Sequence, residues 1–286
     1  MPPSVSVIGL GGMGSGMARA LLASGLAVTA YNRSADRAAP LVEAGAALAP
    51  SAAEAVAGAQ VVLLSLADEN AVDQVLFGEL DGRLNAGAVV VDTSTVSPAF
   101  AREAAKRLAE SGVRRVEACV IGNPEMAAAG RLRVFAAGAE SDVDLVRPVL
   151  GAIGQEVRFV GGTGSASVLK LALNLMLGVQ LLGLAEAVVF AEATGLDRDL
   201  LLDAFEGSGW RSPVLSFRAG FMRRREYRPA MFRAALMRKD LDLAHREALE
   251  HGADLPMSRC ALDRFAAVLA AGRGDDDAAI VAEESW

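Results

Sequence analysis

A glycine-rich segment near the N-terminus restricts the possible folds of this chain more than any other feature. Residues 9–14 read GLGGMG and fit the pattern G-x-G-x-x-G. A strand-like run precedes it at 4–10, a helical stretch follows at 13–24, and a second strand-like run ends near residue 31. This order of elements is typical of the first βα turn of a Rossmann domain. It predicts a dinucleotide-binding loop formed by Gly9, Leu10, Gly11, Gly12, Met13 and Gly14.

The three motif glycines have different physical tasks. Gly9 permits a tight turn, and Gly14 lets the helix pack closely against the strand. Gly11 allows the backbone to approach a pyrophosphate at the helix N-terminus. The alternative is a tight βα turn that binds no ligand.

The end of the second predicted strand indicates which dinucleotide is bound. NAD enzymes usually place an Asp or Glu there to hold the ribose 2′-hydroxyl. This chain has Tyr31-Asn32-Arg33-Ser34 instead, with Arg37 one helical turn later. An arginine and a hydroxyl would bind a 2′-phosphate that an acid would repel. We therefore predict NADP, contacted by Asn32, Arg33, Ser34 and Arg37; the alternative is a solvated turn in an Arg-rich chain.

The chain changes character near residue 164. Before it, short β-branched runs alternate with Ala-rich helical stretches, which predicts a parallel sheet covered on both faces. Further strands are predicted at 26–32, 61–66, 88–93 and 113–120. After it, residues 167–194 predict one long helix, and nearly all that follows is helical. The predicted fold is α/β: an N-terminal Rossmann dinucleotide-binding domain (1–163), a long interdomain helix and an all-helical C-terminal domain (164–286).

Composition excludes several classes of function. The 286 residues carry a net charge of −7, which argues against nucleic acid as a partner. Cys119 and Cys260 form neither a disulfide framework nor a metal set, which indicates a reducing cytoplasm and no metal site. The N-terminus lacks the pattern of a signal peptide. The apolar stretch 171–185 is bounded by Lys170 and Glu186 and is expected to be too short to cross a membrane.

Lysine is rare in this chain. Of 28 basic residues, 25 are Arg, and the lysines are Lys106, Lys170 and Lys239. Lys170 lies in the apolar segment SVLKLALNLML, with Asn174 on the same face of the predicted helix. A lysine in such a segment is costly unless it is paired or has a task, and its retention indicates that a titratable ammonium is needed. The alternative is a lysine that extends its ammonium to water.

These segments together resemble the β-hydroxyacid dehydrogenases, which include 3-hydroxyisobutyrate dehydrogenase and the glyoxylate/succinic semialdehyde reductases. The matching segments are GLGGMGSGMA (9–18), VDTSTVSP (91–98), GTGSASVLKLALN (162–174), MRKDLDLA (237–244), LPMS (255–258) and GRGDDD (272–277). They occur in the family's order and cover nearly the whole chain. The resemblance implies the fold predicted above, a small-molecule substrate and a homodimer or homotetramer.

The resemblance also implies roles for individual residues. Lys170 would exchange a proton with the alcohol or carbonyl oxygen, and Asn174 would help to orient the substrate. The implied cofactor contacts include Leu66, Ala67, Thr95 and Lys239, and the implied substrate contacts are Ser94, Ile121, Gly122, Asn123, Lys170 and Asn174.

One segment departs from the family pattern. The family's substrate loop typically reads Asp-Ala-Pro-Val-Ser-Gly-Gly, whereas residues 117–123 read EACVIGN. The Ile121 side chain cannot donate a hydrogen bond as serine does, and Asn123 restricts the backbone more than glycine. A bulkier, less polar or differently anchored substrate is one explanation. The other is that Ile121 belongs to the core and backbone amides alone hold a carboxylate.

Three functional hypotheses follow. The first is an NADPH-dependent oxidoreductase that interconverts a small aldehyde or ketone (semialdehyde or 2-oxo acid class) and its hydroxy acid or alcohol. The second is an NADPH-dependent imine reductase, although that group tends to replace the catalytic lysine with Asp or Tyr. The third is a non-catalytic NADPH-binding protein, against which the retention of Lys170, Asn174 and Lys239 argues.

Overall fold

All named strands of the structure belong to a single eight-stranded sheet. The computed structural model describes residues 3–284 and separates into one unit that ends at Lys170 and a second that begins at Leu171. The strands are β1 (Val5–Ile8), β2 (Val28–Tyr31), β3 (Ala47–Leu48), β4 (Val61–Leu64), β5 (Val89–Asp92), β6 (Arg114–Ile121), β7 (Leu132–Ala137) and β8 (Gly154–Gly161). Their order across the sheet is β3-β2-β1-β4-β5-β6-β7-β8.

The sheet is not wholly parallel, which corrects one prediction. Strands β1 to β6 pair in parallel, but β6 and β7 are antiparallel, with Ile121 opposite Arg133. Only residues 122–131 join these two strands, and a parallel crossover needs about a dozen residues or more. The strands β3, β7 and β8 were also not predicted. Strand β3 has only two residues, too few for a period to show.

Helices cover both faces of this sheet, as predicted. Those of the first unit are α1 (Gly12–Ala23), α2 (Ala39–Val42), α3 (Ala52–Val56), α4 (Glu69–Gln74), α5 (Pro98–Glu110), α6 (Pro124–Ala128) and α7 (Glu140–Ile153). Successive strand residues alternate between faces: Val7 packs in the same cluster as Met17 of α1, whereas Ile8 packs with Leu108 of α5. Since both faces are buried, the central strands are almost continuously apolar.

The second unit is helical. Its helices are the remainder of α8 (Ser165–Ala193), which begins in the first unit, then α9 (Arg198–Glu206), α10 (Pro213–Arg224), α11 (Ala234–Glu250) and α12 (Pro256–Ala270). Pro213 and Pro256 stand in the first turns of their helices, where a missing N–H costs nothing. The predicted fold class, a Rossmann domain followed by a long helix and a helical C-terminal part, is confirmed.

The length of α8 corrects the expectation for the apolar stretch 171–185. The helix has 29 residues and, by length and composition alone, could cross a membrane. Its residues Leu181, Leu184 and Val188 are buried in the core of the second unit, and a core helix passes the same test of length and hydropathy. The absence of a membrane partner stays a prediction.

Candidate cofactor and active site

The glycine-rich loop between β1 and α1 has two positions, Gly9 and Gly14, where no larger residue fits. Gly9 has φ +93°, and a Cβ there would lie 2.4 Å from the Ser65 carbonyl oxygen. A Cβ on Gly14 would lie 1.9 Å from the Gly9 carbonyl oxygen, so helix and loop touch backbone to backbone. A Cβ on Gly11 would meet no atom within 4 Å. The loop therefore leaves open space beside Gly11, at the N-terminus of α1.

Side chains of neighbouring elements hold this loop. The Leu10 N–H donates to Asn32 Oδ1 (2.9 Å), and Asn32 Nδ2 donates to the Ser34 carbonyl (3.0 Å). The Ser15 hydroxyl donates to the Leu10 carbonyl (3.0 Å). Gly11 is the N-cap of α1, and within residues 3–284 no side chain caps this end. The free N–H groups of the first turn and the helix dipole suit an anion such as pyrophosphate.

The residues predicted to hold a 2′-phosphate lie just beyond β2. Arg33, Ser34 and Arg37 are all exposed. Neither arginine forms an ion pair with any described residue. The nearby Tyr31 hydroxyl has a raised pKa because of burial and the Glu79 carboxylate. Glu79 comes close to this strand end through the fold, so the sequence around β2 did not reveal it.

A small pocket lies at the carboxyl end of β5 and beside the middle of β6, on the edge of the sheet where ligands of open α/β sheets bind. It brings together three predicted site residues, Ser94, Thr95 and Lys170. Half-buried Lys170 donates from Nζ to the Val120 carbonyl (2.9 Å). The Ser94 hydroxyl accepts the Leu66 N–H (3.0 Å), which leaves its own hydrogen available to a ligand.

Three buried charged side chains also line this pocket and were not predicted as site residues. Asp92, Arg115 and Glu117 are 2%, 5% and 4% exposed. Arg115 Nη2 is 2.7 Å from Asp92 Oδ2, and Asp92 Oδ1 accepts the Ser94 N–H (2.9 Å). The charges were visible in the sequence, but their burial was not. A signal that could have found them is the position of these charges inside otherwise apolar strand segments.

Cys119 also lines the pocket, and it differs sharply from the second cysteine. Burial raises the pKa of the Cys119 thiol to about 11, and the nearby Glu117 carboxylate raises it while Lys170 lowers it. Cys260 is exposed.

Alkylation should therefore distinguish the two cysteines. At pH 8 only about a thousandth of a thiol with a pKa near 11 is thiolate, the reactive form. We expect iodoacetamide to modify one thiol per chain within the time needed for a free cysteine. Peptide mapping should place that label on Cys260, and Cys260→Ser should abolish it. Equal labelling of Cys119 in the folded protein would contradict this description.

The side chains of the predicted substrate loop make local contacts. Ile121 packs against the cluster of Cys119, Ala137 and Ala166 and is not among the residues that line the pocket. Asn123 Oδ1 accepts the Met126 N–H (2.8 Å) and caps α6. Ile121 is therefore partly buried against an apolar cluster, and both explanations of the loop stay predictions.

Two further predicted residues meet in the second unit. Asn174 Nδ2 donates to Asp240 Oδ2 (2.6 Å), and Lys239 Nζ lies 3.0 Å from Asp240 Oδ1. A carboxylate only accepts, so it must face the amide nitrogen, and the Asn174 amide oxygen faces away from it. Asp240, which is 2% exposed, was not predicted, although it directly follows Lys239 in the chain.

Comparisons with known proteins agree with this architecture. A family model described as the NAD binding domain of 6-phosphogluconate dehydrogenase matches residues 4–162. A second, described as NAD-binding of NADP-dependent 3-hydroxyisobutyrate dehydrogenase, matches residues 164–283. The chain is 32% identical to the NAD-dependent L-serine dehydrogenase of Pseudomonas aeruginosa over 97% of its own length and 96% of that protein.

Solved structures show the same fold. A 3-hydroxyisobutyrate dehydrogenase from Salmonella typhimurium superposes with a TM-score of 0.92 at 29% identity, over 98% of this chain and 99% of that one. An imine reductase from Streptomyces aurantiacus superposes with a TM-score of 0.65 at 29% identity, over 98% of each chain.

The Rossmann unit, its glycine loop and these matches define the protein as an NAD(P)-dependent oxidoreductase. Within that class, the chain belongs to the β-hydroxyacid dehydrogenase family. The resemblance stated from the sequence is thereby confirmed.

Proposed function

We propose that this protein is an NADPH-dependent oxidoreductase that interconverts a small aldehyde or ketone, of the semialdehyde or 2-oxo acid class, and its hydroxy acid or alcohol. The observation that carries the proposal is the position of the Lys170 ammonium. It shares a pocket with Ser94 and Thr95 at the carboxyl end of β5. The same unit carries the glycine loop.

The residues of the loop fit a dinucleotide. The open space beside Gly11 and the uncapped N-terminus of α1 would accept the pyrophosphate. Arg33, Ser34 and Arg37 would hold a 2′-phosphate. Leu66, Ala67, Met13 and Thr95 would contact the remainder of the cofactor. A dinucleotide bound there would supply the chemistry of hydride transfer to or from the substrate carbon.

The residues of the protein itself would supply and remove the proton that the reaction requires. In reduction, Lys170 Nζ would donate a proton to the substrate oxygen as negative charge develops there, and in oxidation it would take that proton back. Its hydrogen bond to the Val120 carbonyl (2.9 Å) directs the ammonium. The Ser94 hydroxyl would donate a second hydrogen bond to the same oxygen. Asn174 and Lys239, each in contact with Asp240, stay predicted site residues.

The substrate loop bears on the class of substrate. Because Ile121 packs in an apolar cluster, its side chain would not bind a carboxylate. We propose that the amides around Gly122 hold any carboxylate that the substrate carries. Imine reduction is the competing hypothesis, favoured by the fold shared with the imine reductase; the lysine ammonium in the pocket favours a carbonyl oxygen instead.

Substrate screening tests the proposal. NADPH and NADH oxidation should be measured against glyoxylate, succinic semialdehyde, larger aldehydes and a cyclic imine. We expect turnover of at least one carbonyl compound with NADPH. Turnover of the imine alone, or of no carbonyl compound, would contradict the proposal. A cytoplasmic location and a homodimer or homotetramer also stay predictions, the latter tested by light scattering on the purified protein.

Cofactor preference has its own test. Charge-assisted hydrogen bonds contribute about 1.5–3 kcal/mol, so Arg33→Ala/Arg37→Ala should raise the KM for NADPH by about tenfold or more. The KM for NADH should stay unchanged, because NADH has no 2′-phosphate. Arg83→Ala is the matched control, since Arg83 is another exposed arginine of the first unit. A preference of the wild type for NADH would refute the assignment of these arginines.

A further inference from the structure

The first turn of α8, the helix that carries Lys170, is capped from outside the helix. Glu117 on β6 accepts the Ser167 N–H (3.0 Å) and the Ser167 hydroxyl (2.6 Å) on Oε2. Its Oε1 accepts the Gly164 N–H. Both carboxylate oxygens therefore bond groups at the N-terminus of a 29-residue helix, where otherwise unpaired N–H groups and the helix dipole favour negative charge.

The same carboxylate belongs to a buried set of charges. Glu117 lies directly beside Asp92 in the parallel register of β5 and β6, and like charges in such positions repel. Arg115 lies between them: Nη2 is 2.7 Å from Asp92 Oδ2, and Nη1 is 4.0 Å from Glu117 Oε1. The Arg115 guanidinium and the positive end of the α8 dipole together compensate the negative charges of Asp92 and Glu117.

This set connects two parts of the pocket. Asp92 holds the backbone of Ser94, and Glu117 holds the helical turn directly before Lys170. Both carboxylates and Arg115 also line the pocket. A shift of the first turn of α8 against β6 would change the Lys170 Nζ to Val120 oxygen contact, because Val120 lies on the same strand as Glu117.

We propose that Glu117 is the positioning residue for Lys170. Its carboxylate, compensated by Arg115, fixes the start of α8 on β6 and thereby fixes the ammonium opposite the reacting oxygen. This inference rests on the proposed function, since it assumes that Lys170 exchanges the proton. Although Glu117 lines the pocket, its proposed task is to position Lys170 and not to transfer the proton.

The test is a double-mutant cycle between Glu117→Gln and Lys170→Ala. A displacement of about 1 Å in a catalytic group can cost about 10²-fold in rate, so Glu117→Gln should lower kcat by about 10- to 100-fold. The NADPH dissociation constant should change less than about twofold. In the Lys170→Ala background, Glu117→Gln should cause no further loss, because residues that act as one unit are not additive. Glu125→Gln, an exposed acid of α6, is the control.

The kcat values are measured as NADPH consumption at saturating substrate and a high enzyme concentration, followed for hours so that slow variants stay measurable. An equal loss from Glu117→Gln in both backgrounds, an unchanged kcat, or a parallel loss of NADPH binding would overturn the inference. The single variant Lys170→Ala tests the proposed function by itself: full activity would refute that function. If Lys170→Ala loses activity but the two losses are additive, only the positioning role of Glu117 fails.

Ser167→Ala provides a second variant if Glu117→Gln does not fold. It removes one of the three hydrogen bonds to Glu117 and leaves the carboxylate in place. One hydrogen bond of ordinary strength corresponds to about a fivefold effect, which we expect in kcat alone. A raised KM for NADPH with an unchanged kcat would contradict the positioning role.

Discussion

Replacing Lys170 by alanine is expected to lower kcat by about 10²- to 10⁴-fold, the usual contribution of a positioned general acid or base. The variant removes the ammonium proposed as the proton donor from a pocket that also holds the hydroxyl groups of Ser94 and Thr95. NADPH binding should persist, because the glycine loop lies elsewhere on the same unit. Steady-state rates give kcat, and fluorescence titration gives the NADPH dissociation constant.

Lys106→Ala is the matched control for that experiment. Lys106 is exposed on α5, so its loss should leave kcat and KM within about twofold, as for most surface substitutions. Full activity of Lys170→Ala on every accepted substrate would show that another group supplies the proton.

Gly14→Ala should both destabilise the protein and abolish cofactor binding. The added Cβ would lie 1.9 Å from the Gly9 carbonyl oxygen, and a backbone atom cannot move aside by changing a side-chain torsion. Overpacking of this kind typically costs about 1–3 kcal/mol and occasionally more, which chemical denaturation would detect. A folded Gly14→Ala variant with unchanged stability would contradict the backbone contact between loop and helix.

Gly11→Ala separates stability from binding. Its Cβ would meet no protein atom within 4 Å, so the free energy of unfolding should stay within about 0.5 kcal/mol of wild type. The same methyl group would occupy the space proposed for the pyrophosphate, and NADPH affinity should fall at least about tenfold. Unchanged affinity would place the pyrophosphate elsewhere.

The fold was largely predictable because its strongest signals are local. The strands around the glycine loop are buried on both faces, so their sequences are continuous apolar runs that need no tertiary information to recognise. Strand β7 is different, since its antiparallel pairing follows from the short connection 122–131. The sequence shows such a connection only after β7 itself has been recognised.

The candidate site was predictable only in part. Lys170 was found because lysine is rare in this chain and because the family motif contains it. Glu117 belongs to the segment that departs from the family pattern but was not recognised as the cap of α8, because its partners Gly164 and Ser167 are about fifty residues away along the chain. Asp240 was likewise hidden: its contact with Asn174 joins two helices that are distant in sequence.

The proposed proton transfer explains why a chain with 25 arginines keeps a lysine at position 170. Arginine would supply the same charge and could still donate to the Val120 carbonyl, but it cannot give up its proton. The most direct measurement is therefore the single-turnover rate of NADPH oxidation by Lys170→Arg, compared with wild type and Lys170→Ala. We predict that Lys170→Arg binds NADPH normally and reacts about as slowly as Lys170→Ala. A wild-type rate in Lys170→Arg would show that the site needs only a positive charge, and would contradict the assignment of Lys170 as the proton donor.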